Sequence, residues 1–109
     1  MKTIGLLINA YDEVLIIQDR QGVCSFPTID TWQEKVELFG VPIAIEQVPY
    51  SQSDTRVNYL ATIIEGKAKY DGDGRIYWLP VDLFSDVEWE EKDESTRLLL
   101  QKEGLEKNL

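Results

Sequence analysis

Histidine is absent from the 109 residues, and cysteine and methionine each occur once. The missing histidine removes the commonest metal ligand, the commonest general base and every Ser-His or Cys-His nucleophile pair. Any chemistry must therefore rest on carboxylates, lysine, tyrosine or a bound metal. The lone Cys24 excludes an internal disulfide and a cysteine-based zinc site. Set in the apolar stretch from Val23 to Phe26, it reads as a buried thiol. Positive charge is scarce: 11 Lys and Arg stand against 20 Asp and Glu, a net charge of −9 and a pI near 4.4. A nucleic-acid backbone would be repelled by such a surface, so nucleic acid is not an expected partner. Long apolar runs are missing too. The first run stops at Asn9, short of a secretory leader and far short of a membrane span. The expectation is a cytoplasmic protein with no membrane partner.

What is present describes a globular chain: 43% hydrophobic residues, 28% charged residues and three tryptophans. Its length suits one domain, residues 1–109, large enough to bury a core without disulfide or metal staples. Runs rich in Ile, Leu and Val predict strands over 3–9 and 14–18, joined by a hairpin loop at 10–13. A turn at 19–22 leads to a short strand over 23–26, closed by Pro27. Further strands are expected over 43–48 and 56–65, the latter continuing through 67–70 and returning as a hairpin over 75–79 by way of Asp71-Gly72-Asp73-Gly74. Ile4, Leu6, Val14 to Ile17, Tyr59, Ala61 and Ile63 are expected near a common core. After Pro80 one helical turn is expected over 81–84, then a final helix from Asp93 or Ser95 to about Glu103, ended by Gly104.

Between these strands, Thr31-Trp32-Gln33-Glu34 has the form of a capping box, and Gly40 with Pro42 forms a stop signal. The pattern predicts a short helix over 32–39. Trp32, Val36 and Phe39 fall at i, i+4 and i+7, on the face it would bury. Glu34 and Glu37, at i and i+3, would lie together on the opposite face. Two such carboxylates can hold a hard cation such as Mg²⁺ against substrate phosphates; paired acids are also ordinary on the wet side of an amphipathic helix. Arg20, in a loop after a buried strand, and Arg56, where the long strand begins, are the arginines placed to reach a phosphate or carboxylate. Each also reads as a plain surface arginine.

Two other acidic stretches carry less. Asp71 to Ile76 mimics part of an EF-hand loop, but the loop's first and last ligand positions would be Lys69 and Pro80, so a turn is the better reading. Six acids crowd residues 86–94, ahead of the last helix, where negative charge favours a helix N-terminus and solvates the chain. Trp89 within that stretch reads as an anchor on the core.

The order of elements is similar to that of the Nudix family. Val14 to Arg20 followed by Val23 to Pro27 resembles the start of that fold, Val57 to Gly66 its long central strand, and Tyr77 to Phe84 its late strand and turn. The far end of the family's box, Arg-Glu-apolar-x-Glu-Glu-x-Gly-apolar, is similar to Gln33-Glu34-Lys35-Val36-Glu37-Leu38-Phe39-Gly40-Val41. Glu34, Glu37 and Gly40 match. Gln33 replaces the arginine, Leu38 replaces one paired glutamate, Thr28 and Ile29 stand where the paired glycines would be, and about ten residues of the box are missing. The resemblance implies an α+β fold, a Nudix-like mixed sheet with a short helix after the third strand and a C-terminal helix. Of the activities it implies, a shortened box favours a non-catalytic domain that binds a nucleotide-like or other small ligand or has a regulatory role, with no cofactor required. A divergent Mg²⁺-dependent pyrophosphohydrolase of a nucleoside-diphosphate-linked substrate, with Glu34 and Glu37 as catalytic and metal-ligating residues and Arg20 and Arg56 on the ligand, is the alternative. The acidic surface also suits a protein-interaction module or inhibitor.

Overall fold

In the computed structural model, which describes residues 2–10 and 12–107, the opening apolar run forms β1 (Thr3–Ala10). Leu6 and Ile8 enter one buried cluster, while Leu7, between them, enters a second. A strand covered on both faces has no wet side to alternate with, hence the consecutive apolar residues Leu6, Leu7 and Ile8. β2 (Glu13–Gln18) divides in the same way: Leu15 joins the first cluster, and Val14 and Ile16 the second. The single core expected from the sequence is therefore two, separated by the sheet. Tyr59, Ala61 and Ile63 all belong to the first cluster or pack against it.

The remaining strands are β3 (Val23–Ser25), β4 (Thr28–Ile29), β5 (Lys35–Leu38), β6 (Val41–Ile45), β7 (Ser51–Gln52), β8 (Arg56–Ile63), β9 (Arg75–Pro80) and β10 (Glu88–Trp89). They form a mixed sheet in the order β10-β3-β2-β1-β8-β6-β5, with β4 added to β1, β7 to β8 and β9 to β2. β1 and β8 run parallel, from Thr3 opposite Arg56 to Ile8 opposite Ala61. By contrast β1 meets β2 only at Asn9 opposite Val14 and Ala10 opposite Glu13, next to the expected loop, whose Tyr11 lies outside the described residues. Beyond those two pairs the strands splay. β1 takes β4 as its neighbour, and β2 takes β3. A 3-10 turn (Val81–Asp86), β10, a second 3-10 turn (Glu91–Asp93) and α1 (Glu94–Lys107) complete the chain. The mixed sheet and the C-terminal helix agree with the expectation; the helix runs past Gly104.

The short helix after the third strand does not form. Residues 35–45 are instead a β-hairpin in which Lys35 faces Ala44 and Leu38 faces Val41. The reason lies in the turn. Phe39 and Gly40 both have positive φ, 56° and 75°, the signature of a two-residue turn whose twist matches a hairpin. Gly40 is thus a hairpin residue rather than a helix stop. Val36 and Leu38 also alternate with exposed Lys35 and Glu37, the period of a strand. Trp32, Val36 and Phe39 do pack on the first cluster, but from a loop and a strand.

A second pairing also differs. β8 ends at Ile63, residues 67–70 form no strand, and β9 pairs with β2, from Glu13 opposite Pro80 to Gln18 opposite Arg75. Tyr77 and Leu79 on one side of β9 and Ile76 on the other meet the two clusters only beside β2. The strand expected over 43–48 lies at Val41–Ile45, and Val48 is exposed.

The hairpin assignment makes a prediction. A Cβ at residue 40 would touch nothing, so Gly40→Ala tests backbone conformation alone. It should lower unfolding stability by roughly 1–2 kcal/mol in urea titrations, the cost of a left-handed non-glycine residue. A helical segment there would instead gain stability from the same change.

Candidate functional site

A cleft of about 410 Å³ lies at the end of β2, lined by Ile17, by Ser25 to Thr28 of the β3–β4 segment, and by Leu38 and Phe39 from the β5–β6 hairpin. Tyr70 and Asp73 reach it from the loop before β9, Asp19 from the β2–β3 turn, and Glu90 and Lys92 from the segment after β10. Its volume lies within the usual range for small-molecule sites, about 300–1,000 Å³. Tyr70 meets Phe39 edge to face, centroids 6.1 Å apart at 73°. The turn is held in place by the Lys69 N–H, which donates to the Phe39 carbonyl at 2.8 Å. The Asp19 carboxylate accepts from the backbone N–H groups of Gln21 and Val23, both at 2.9 Å, which fixes the turn that carries it. Lys92 stands 3.4 Å from Glu90.

The residues singled out in the sequence do not converge here. Glu34 lies at the bend before β5 and Glu37 within it, both exposed. On an extended chain three residues span about 10 Å, against about 5–6 Å on a helix face, so the pair does not fit one shared Mg²⁺. Among the described residues no three Asp, Glu, Cys or His side chains cluster as a metal site. Arg20 is exposed at the cleft mouth, where its guanidinium donates to Asp73 at 2.9 Å.

Arg56 is elsewhere and buried, with 6% of its surface exposed. It pairs with the fully buried Asp93, donates to Asn58 Oδ1 at 2.6 Å, and lies 5.9 Å from the centre of the Phe26 ring. Asp93 also accepts from the Phe26 N–H at 3.1 Å, and Asn58 donates to Ser51 and Thr96, each at 3.1 Å. Burial draws the guanidinium's pKa below its ordinary value. An arginine nevertheless keeps its charge at neutral pH. The knot binds β8 to the start of α1. Sequence reasoning noticed Arg56 but not its partner, because Asp93 sits among six acids that look solvated. Tyr70 and Phe39 were missed as cleft residues, Phe39 because it was placed in a helix.

With the geometry in hand, likeness to known structures is informative. The chain matches no family model, and no curated protein matches it in sequence. It superposes on a structure from a structure and function analysis of MutT from Aliivibrio salmonicida and Vibrio cholerae with a TM-score of 0.65 and 12% identity, covering 94% of this chain and 97% of that one. It is also similar to the MutT protein of Bacillus halodurans, TM-score 0.50 and 12% identity, covering 91% and 81% of the two chains. The chain has a Nudix-like fold.

Two outcomes follow. Asp93→Ala should cost about 3–5 kcal/mol in chemical denaturation, since it strands a buried charge, whereas Arg56→Met with Asp93→Leu should recover much of that loss. Cys24 is fully buried, and burial raises its thiol pKa despite a 3.8 Å contact with the Tyr77 hydroxyl. It should resist a thiol-specific disulfide reagent in the native protein and react promptly in denaturant. Rapid native labelling would place Cys24 at an accessible site.

Proposed function

We propose that this chain is a non-catalytic Nudix-fold domain that binds a nucleotide-like or other small ligand in the cleft beside the β5–β6 turn. The observation that carries the reading is that Glu34 lies at the bend before a hairpin and Glu37 within it, not together on one helix face. Phosphoryl displacement needs cations held rigidly against the substrate oxygens and a positioned water. Two exposed carboxylates separated along a strand hold Mg²⁺ weakly, because the ion parts reluctantly with its own waters. No cofactor is required by this reading. It also assigns the protein to the cytoplasm; among the described residues no helix is long and apolar enough to cross a membrane. Fold alone does not decide between binding and hydrolysis, so the cleft and the carboxylates bear the argument.

The purified protein should release no phosphate or monophosphate above background from nucleoside triphosphates, ADP-ribose or dinucleoside polyphosphates with Mg²⁺ or Mn²⁺. Turnover of about 1 s⁻¹ or more that collapses in both Glu34→Gln and Glu37→Gln would replace the binding reading with a divergent hydrolase.

A further inference from the structure

We propose that the cleft selects an organic cation with a flat apolar body, an arylalkylammonium in its simplest form, and disfavours phosphate-bearing ligands. The inference rests on the reading of the cleft as a ligand site and names the chemistry of what it takes. Three carboxylates line it, Asp19, Asp73 and Glu90, against one ammonium, Lys92. Lys92 lies beside Glu90, and Arg20, outside the lining, lies beside Asp73, so each of these two cations has a carboxylate partner. Counting Arg20 as well, the cleft and its mouth hold three negative charges and two positive ones, in a protein of net charge −9. A phosphate entering this field meets repulsion, whereas an ammonium is drawn in.

The walls supply the rest of the selection. Ile17, Leu38, Phe39 and Tyr70 line it with apolar groups, and the two last are aromatic rings of the kind that attract a cation and stack on a flat body. Phe39 is unusual in its backbone. At φ 56° it occupies a turn position that asparagine or glycine fills at lower cost, and a bulky residue in that region is an outlier. The strain places an aromatic ring beside Tyr70 at the cleft wall. Phe39 also packs on the first buried cluster, so its ring belongs both to the core and to the cleft wall.

Three probes that share one body and differ in charge test this: 2-phenylethylammonium, 2-phenylethanol and phenylacetate, titrated by NMR at low salt beside AMP with and without Mg²⁺. The ammonium should bind most tightly and phenylacetate least, with shifts centred on residues 17–19, 38–39, 70–73 and 90–92. Asp73→Asn, at an exposed position, should weaken the ammonium about fivefold and leave 2-phenylethanol unchanged. Phe39→Asn, which suits the turn, should keep the folded spectrum and lose the ammonium; Tyr70→Ala should weaken it without requiring any change in the turn. No shift with the ammonium, shifts confined to another surface, or a preference for phenylacetate or AMP overturns the inference. AMP binding in the cleft without ammonium binding would leave the ligand-binding function standing and remove only its cationic specificity. Hydrolysis dependent on Glu34 and Glu37 would remove the non-catalytic reading whatever the probes do.

Discussion

The buried pair of Arg56 and Asp93 is the constraint around which the two halves of the molecule are arranged. Arg56 begins β8, the parallel partner of β1, and Asp93 closes the turn that starts α1. Taking both charges out of water is unfavourable unless their remaining valences are met. Asn58 accepts from the arginine, and the Phe26 N–H donates to the aspartate, so the pair recruits a strand and a loop as well as the helix. Its demand for space reaches β1. A Cβ on Gly5 would overlap both Asn58 Oδ1 and the Arg56 guanidinium, so a glycine interrupts an otherwise apolar strand because the polar knot needs that volume. Above it Phe26, Phe84 and Trp89 pack together, with Trp89 4.9 Å from Phe26 and 5.0 Å from Phe84. The indole N–H donates to the Phe84 carbonyl at 2.8 Å, which ties the acidic segment to the second cluster.

The polar knot and the aromatic group lie toward α1, while the cleft lies at the end of β2, beside the β5–β6 turn. Phe26 and Pro27 connect the two, since Phe26 bonds to Asp93 through its backbone and also lines the cleft. Cleft geometry therefore depends on the buried ion pair without sharing a charged residue with it.

The sequence was most legible where one structural period had no rival. The runs that became β1, β2 and β8 have no helical alternative of comparable strength, and their order was enough to suggest the fold. Residues 32–41 satisfy two periods at once. Trp32, Val36 and Phe39 suit a helix, and Val36 with Leu38 suits a strand; local sequence does not separate them. The choice is made by β8, which offers a hydrogen-bonding edge to β6, with Ile43 opposite Ile63 and Ile45 opposite Ala61. That is long-range information. The partner of β9 was hidden for the same reason, since the Asp71 to Gly74 turn is compatible with an immediate reversal and with a passage to the edge of β2.

The candidate site was less legible than the fold because its residues share no local motif. Asp19, Phe39, Tyr70, Asp73 and Glu90 come from separate loops and turns, each bland when read alone. Glu34 and Glu37 attracted notice because a helix would have placed them side by side, and the hairpin withdraws that reason. Arg56 was singled out as a cation able to reach an anion, and the anion it meets is the protein's own Asp93. Once that charge is internally matched, and Lys92 and Arg20 stand beside carboxylates, the cleft has little positive charge left for a phosphate. Where the few cations of an acidic chain are engaged is thus a long-range property, set by the fold and not by any local motif.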